Sequence, residues 1–91
     1  MTKKRDRLQI IYDILRAIQR KNGVIKPTHI LYKSNLSHQM LDEYLSELIA
    51  KEFIVETHAK SGKTYSLTPK GFDYIAKYKL IVDFADSFGL N

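Results

Sequence analysis

Hydrophobic residues recur with a helical period over the first quarter of the chain. One face carries apolar residues three or four positions apart: Leu8, Ile11, Leu15 and Ile18. Ile10 and Ile14 widen this apolar face. This spacing predicts an amphipathic helix from about Asp6 to Lys21. Asn22-Gly23 follows, and glycine ends helices readily because it adopts the left-handed conformation without a steric penalty. Val24-Ile25 is long enough only for a fragment of strand.

Two shorter helices are predicted next. Pro27 suits the first position of a helix that ends near Lys33, because the missing N–H of proline is not needed there. Ser37 suits the N-cap of a third helix that ends near Lys51. The residues that this helix is expected to bury are Leu41, Tyr44, Leu45 and Leu48. Two short helices joined by a tight turn form a helix-turn-helix.

A β-hairpin is predicted after the third helix, because alternating residues flank a Ser-Gly turn. Pairing Val55 with Leu67 and Thr57 with Tyr65 places the apolar side chains together. The loop would then cover residues 59–63. The residues expected to face outward are Glu56, His58, Thr64 and Ser66.

A fourth helix is predicted to start at Thr68, the N-cap, with Pro69 at its first position. Gly71, in the first turn, would let that turn lie close to the sheet. The face expected to dock on the same domain consists of Phe72, Ile75 and Ala76. A second apolar series has spacings of four, three, four and three residues: Tyr74, Tyr78, Ile81, Ala85 and Phe88.

This second series is the a/d pattern of a coiled coil over two heptads. Leu80, Val82 and Phe84 add apolar surface on the remaining sides. A helix that is apolar on most sides has to be covered, so the sequence predicts a homodimer through the C-terminal helix. The alternative is that this segment folds back over the first helix.

Charge is distributed unevenly along the 91 residues, of which 15 are Lys or Arg and 10 are Asp or Glu. Residues 1–33 carry a net charge of +7 and residues 60–79 carry +4, whereas residues 34–59 carry −4. A basic start and a basic hairpin tip favour a polyanionic partner. The absence of cysteine excludes disulfides and thiolate metal sites. No stretch predicts a membrane span or a secretion signal, so a cytoplasmic protein is expected.

Four stretches of the sequence carry a resemblance to a known family: LQIIYDIL after the basic start, ILYKSNLSHQMLDEYLSELI, KEFI and YSLTPKG. Together they are similar to the archaeal winged-helix DNA-binding proteins, small predicted transcriptional regulators that include a chromatin-associated dimer. The resemblance implies an α+β, mostly helical fold: a winged helix-turn-helix with a C-terminal dimerisation helix. Residues 1–68 would form the DNA-binding part and residues 69–91 the last helix, within a single structural domain.

Double-stranded DNA is therefore the expected partner, with the third helix in the major groove and the hairpin, or wing, along the backbone. Phosphate contacts are predicted from Lys3, Lys4, Arg5, Arg7, Lys33, Lys60 and Lys63. Base contacts are predicted from Ser37, His38 and Gln39, because the N-terminal residues of such a helix enter deepest. Tyr32 and Tyr65 are two further candidates for phosphate contacts. Carboxylates on the third helix oppose this interpretation because they repel phosphates: Asp42, Glu43 and Glu47.

The sequence does not predict an enzyme, a cofactor or a metal site. His29, His38 and His58 lie on separate elements without ligand spacing, and no small-molecule site is evident. The function expected is that of a transcription regulator or a chromatin-associated protein of the nucleoid. A winged-helix protein–protein interaction module with little DNA affinity is the main alternative. An RNA-binding role is the third, because gripping a backbone does not separate the two polymers.

Overall fold

The computed structural model describes residues 5–90 and contains four helices and one antiparallel hairpin. In chain order the elements are α1 (Arg7–Arg20), α2 (Pro27–Ser34), α3 (His38–Ala50), β1 (Ile54–Ala59), β2 (Gly62–Leu67) and α4 (Pro69–Ser87). The predicted order is confirmed, and each helix boundary lies within a residue or so of its prediction.

Side-chain caps explain why three of the helices start where they do. Asp6, Ser37 and Thr68 each accept a hydrogen bond from the backbone N–H three residues later, at 2.8, 3.1 and 3.2 Å. Each cap satisfies one donor that the first turn of the helix leaves unpaired. The predicted caps of α3 and α4 are thereby confirmed. Asn35 ends α2 in the left-handed conformation, at φ 54°, which makes the turn into α3 tight.

The core lies between the helices and one face of the hairpin. Its buried apolar residues come from every element: Ile10, Ile11, Ile14, Leu15, Ala17, Ile18, Ile25, Ile30, Leu41, Leu45, Leu48, Ile54, Tyr65, Leu67 and Ile75. Leu8, which the helical period placed in this stripe, is 53% exposed. It lies in the first turn of α1, where it lines an open cleft with Phe53 and Tyr74.

The hairpin register differs by one residue from the prediction, which was wrong here. Ile54 pairs with Leu67 and Glu56 with Tyr65, and residues 60–61 form a two-residue turn. Both residues 54 and 55 are apolar, so the alternation fitted either register. The structure buries the larger one: Ile54 is 1% exposed, whereas Val55 is 48% exposed. As a result Glu56 lies on the same face as Tyr65. Thr64 pairs with Thr57 on the opposite face, where it is nevertheless buried.

A third backbone segment joins the sheet at a single point. Ile25 forms an isolated bridge with Tyr65, whose N–H donates to the Ile25 carbonyl at 3.2 Å. Gly23 has a φ of 84° and donates its N–H to the Tyr65 carbonyl at 2.9 Å. The predicted strand fragment after α1 is thus confirmed, and it ties the end of α1 to β2.

The first turn of α4 packs closely on the start of the hairpin. A Cβ atom added to Gly71 would lie 2.3 Å from the Phe53 carbonyl oxygen, so only glycine permits this approach. Of the predicted docking face, Ile75 is buried, whereas Phe72 and Ala76 are exposed. The molecule is elongated, with principal extents of 48 × 29 × 21 Å.

Candidate nucleic-acid interface

The N-terminal end of α3 presents the predicted base-contacting residues at the surface. Ser37, His38 and Gln39 are all exposed. The Ser37 oxygen accepts the capping hydrogen bond, which leaves its hydroxyl hydrogen available as a donor. The Gln39 amide nitrogen lies 3.4 Å from a Glu43 carboxylate oxygen, a weak contact that a base could displace. These side chains are accessible to a ligand.

The wing follows α3 in the chain, and β1 packs against that helix. Near the base of the wing, Ile49 and Val55 line one surface cleft. Farther out, burial raises the pKa of Tyr65, the hydrogen bond to Glu56 raises it further, and the nearby charge of Asp42 adds to the effect. The first half of α3 therefore lies near Tyr65.

Lys60 and Lys63 are exposed at that tip, in and beside the two-residue turn. Behind them, Tyr65 donates its hydroxyl to Glu56 at 2.9 Å, and a His58 ring nitrogen lies 2.7 Å from the other Glu56 oxygen. These hydrogen bonds, that of Tyr65 first, lower the pKa of Glu56, and the charge of Lys63 contributes. The Tyr65 hydroxyl is therefore occupied, and a phosphate contact would require it to leave Glu56.

The basic arm reaches the turn that precedes α3. Arg5 forms an ion pair with Asp13 at 2.8 Å and donates to the Asn35 carbonyl oxygen at 3.3 Å. Asn35 lies two residues before the α3 cap, so the start of the described chain shares a side with the first turn of α3. Lys3 and Lys4, the other predicted arm contacts, lie outside the described residues.

Arg7 contacts two residues of α3. It forms an ion pair with Glu47, and its guanidinium lies 5.7 Å from the centre of the Tyr44 ring. Lys51 also contacts the Glu47 carboxylate, at 2.7 Å. Its hydrogen bond and that of Arg7 lower the pKa of Glu47. One of the three carboxylates that opposed DNA binding is therefore neutralised, at the expense of a predicted phosphate contact.

Lys33 lies at the end of α2, beside α1. It lines a groove together with Ala17 and Arg20 of α1, and Ile25 and His29 line the same cavity. We call this cavity of about 330 Å³ the α1–α2 groove. Lys33 thus lies beside the cations of α1, and its phosphate contact stays a prediction.

The predicted dimerisation series divides into two halves along α4. Tyr74 donates its hydroxyl to the Leu8 carbonyl at 2.6 Å, and the Tyr78 ring lies 4.7 Å from that of Tyr12. Burial raises the pKa of Tyr74 to about 12. These two tyrosines pack on their own domain. The C-terminal half of α4 is different, because several large apolar residues there are about two-thirds exposed: Leu80, Ile81, Phe84 and Phe88.

The described residues contain no group of three or more His, Asp or Glu side chains placed to share a metal ion. Within residues 5–90, no helix is long and apolar enough to cross a lipid bilayer.

Three features of the surface were not predicted from the sequence. The spacing of Glu47 and Lys51, four residues apart on one helix, would have revealed their ion pair. The approach of Arg7 to Glu47 joins residues 40 positions apart, and nothing in the local pattern indicates it. The α1–α2 groove was missed because its cations come from two helices.

Comparison with known proteins agrees with this architecture. A family model described as winged helix-turn-helix matches residues 4–85. An uncharacterized protein of Methanocaldococcus jannaschii is 41% identical over 68 residues, which are 75% of this chain but only 29% of that protein.

Solved structures show the same fold at low sequence identity. The DNA-binding protein Sso10a-2 of Sulfolobus solfataricus superposes with a TM-score of 0.80 at 19% identity, covering 92% of this chain and 85% of the other. F-93 of SSV1 gives a TM-score of 0.70 at 18% identity, over 97% and 99% of the two chains. MepR of S. aureus, solved as a complex with DNA, gives 0.70 at 16% identity, over 93% and 61%.

Proposed function

The chain belongs to the winged helix-turn-helix family, and on this premise we propose that it is a homodimeric protein that binds double-stranded DNA. Three features support the proposal: Arg5 contacts the turn before α3, the first turn of α3 is exposed, and Lys60 and Lys63 are exposed at the tip of the wing. Cations on both sides of an exposed helix end can hold phosphates while that end enters a groove.

The phosphate contacts proposed are Lys60 and Lys63 of the wing, with Arg5, Lys3 and Lys4 of the arm. Arg5 would exchange its ion pair with Asp13 for a phosphate, which makes it a weaker contributor than a free cation. Arg7 is held by Glu47 and has a structural role in this scheme. Its pairing supports the proposal in another way, because it reduces the negative charge that α3 presents.

The base contacts proposed are His38 and Gln39, with the Ser37 hydroxyl as a third donor. A Gln side chain can form two hydrogen bonds with adenine in the major groove. Asp42 and Glu43 are exposed next to these residues. Their carboxylates can accept a hydrogen bond from the amino group of cytosine, so they would restrict which bases can lie opposite this part of α3. This arrangement supports either a selective regulator or a chromatin-associated protein that relies on backbone contacts, acting on the nucleoid in the cytoplasm.

Salt dependence tests the DNA proposal. If about six phosphates are neutralised per dimer, log Kd for a duplex should change with log salt concentration with a slope of magnitude about 5. Replacing Lys60 and Lys63 by Ala should flatten the slope by about one unit for each phosphate that is no longer neutralised. Fluorescence anisotropy with a labelled duplex measures the slope.

The matched control removes the same two charges from α4, as Lys77→Ala with Lys79→Ala, both exposed there. It should leave the slope unchanged. A slope near zero for the wild type would contradict the proposal. An equal decrease of the slope in both double variants would show that the salt dependence follows the net charge of the protein and not the lysines of the wing. Selection of duplexes from a random pool at two salt concentrations then separates a regulator, which enriches a palindrome, from a packaging protein, which enriches nothing.

Two exposed carboxylates of α3 favour a second candidate function. Among the described residues, neither Asp42 nor Glu43 forms an ion pair. A winged-helix interaction module would use them to bind a basic protein surface. A stable complex with a protein partner, together with no duplex binding at low salt, would favour this function. Competition between duplex DNA and RNA would test the RNA-binding alternative.

A further inference from the structure

The α1–α2 groove has the form of a small-molecule site. Its floor is formed by the side chains of Ala17 and Ile25, both buried. Its volume of about 330 Å³ matches the lower end of the range for small ligands. The lining is largely apolar, and Tyr32, 76% exposed, stands at its side. An apolar floor of this kind favours a ligand with an apolar body.

The rim of the groove is cationic. Arg20 and Lys21 come from the end of α1, and Lys33 comes from the end of α2. Among the residues that the structure describes, no carboxylate lies within ion-pair distance of these three. The helix dipole favours each cation at the end of its own helix. It does not account for their convergence on one apolar floor.

We propose that the α1–α2 groove binds a small organic anion. The apolar body of the ligand lies on Ala17 and Ile25, and its carboxylate or other acidic group contacts Arg20, Lys21 and Lys33. Duplex DNA suits the site less well, because a phosphate backbone has no apolar part to place on the concave floor. The proposal stands whether or not the protein binds DNA.

The site is connected to the wing through the backbone. Ile25, on the floor, accepts the hydrogen bond from the Tyr65 N–H of β2. An occupant of the groove therefore adjoins the Ile25–Tyr65 bridge, one of the contacts by which the segment after α1 holds the hairpin. Binding should accordingly slow exchange of the Tyr65 amide hydrogen.

Titration of the ¹⁵N-labelled protein tests the proposal, with benzoate, 1-naphthoate and decanoate as probes. We expect concentration-dependent amide shifts at Ala17, Ile25 and His29. Lys33→Gln and Arg20→Gln should each weaken naphthoate binding by about fivefold. Neutral 1-naphthamide, which has the same rings, should also bind about fivefold more weakly. Lys60→Gln at the wing tip removes the same charge far from the groove and should leave naphthoate binding unchanged.

Several results would overturn the proposal. One is the absence of groove shifts with all three anions, and another is equal binding of naphthamide and naphthoate. A decrease in Lys60→Gln as large as that in Lys33→Gln would show a general charge effect. Shifts confined to the exposed end of α4 would show that the probes only bind its apolar surface. Displacement of naphthoate by duplex DNA, with Lys33→Gln weakening both, would assign the groove to nucleic acid instead.

Discussion

Glu56 is the residue whose environment depends most on the hairpin register. In the predicted register it faced solvent, whereas in the structure it accepts a hydrogen bond from buried Tyr65 and contacts His58. These partners lower its pKa below the usual 4.5. The folded state therefore favours the ionised carboxylate. Its contribution to stability is present above the usual pKa and is lost as the pH falls through the lowered value.

Replacing Glu56 by Gln should reduce the acid sensitivity of the protein. Gln can still accept from Tyr65 but does not ionise, so the free energy of unfolding should fall less between about pH 6 and about pH 3 than in the wild type. Urea denaturation at a series of pH values measures the free energy of unfolding. Glu52→Gln, at an exposed position, is the control. Identical pH profiles for Glu56→Gln and the wild type would show that the Glu56–Tyr65 hydrogen bond does not contribute to the pH dependence of stability.

Among single residues, those with a local role were predictable. Ser37 and Thr68 were identified correctly because a cap depends on a few neighbours in sequence. Gly71 was identified from its place in the first turn of the helix that follows the hairpin, although the carbonyl that it approaches belongs to Phe53. The partners of Arg7 and Arg5 were not, since Glu47 and Asn35 are brought to them only by the packing of α1 on the helix-turn-helix.

At the scale of elements, the hairpin shows where periodicity stops being informative. The helices were predictable because their apolar stripes, caps and proline positions agree with one another. In the hairpin, Ile54 and Val55 are adjacent apolar residues, and either can face the core. The choice depends on which one fits beneath α3 and α4, and that is a property of the assembled domain.

Two alanine substitutions test the observed register. Ile54→Ala should destabilise the protein by about 2–4 kcal/mol, because it leaves a cavity in the core. Val55→Ala should cost less than about 1 kcal/mol, because this side chain is half exposed. The predicted register would give the opposite order. Chemical denaturation of both variants, compared at equal slope m, decides between them.

At the scale of the whole molecule, the exposed apolar half of α4 remains without a cover in the single chain. We expect a second copy to cover it. Exchanging Ile81 and Phe84 for Ser removes two large side chains from each copy at the dimer interface, each worth about 1.5–3 kcal/mol. The dimer Kd should then rise by at least about three orders of magnitude.

Light scattering after size exclusion measures this change, with the helical circular dichroism signal as the check on folding. The matched control replaces Asp83 and Asp86 by Ser, which alters the same turns of α4 on its polar side. A wild-type monomer at micromolar concentration, or equal dissociation of both variants, would contradict the dimer. The sequence could indicate this apolar series but not which of its residues pack on their own domain. The docking of Tyr74 and Tyr78 depends on Leu8 and Tyr12 of α1.

Helix α4 is continuous from Pro69 to Ser87, so one rigid rod both anchors to the domain and carries the free end. In a dimer this helix would act as a spacer. It would set the rotation of one protomer's helix-turn-helix relative to the other, about the axis of α4. One residue inserted after Lys79 would turn the far end by about 100° and lengthen the rod by about 1.5 Å. Seven inserted residues would restore the phase to within about 20° while adding about 10 Å. If the proposed dimer binds a duplex, the preferred distance between its half-sites would change accordingly, although none of the proposed DNA contacts had been altered.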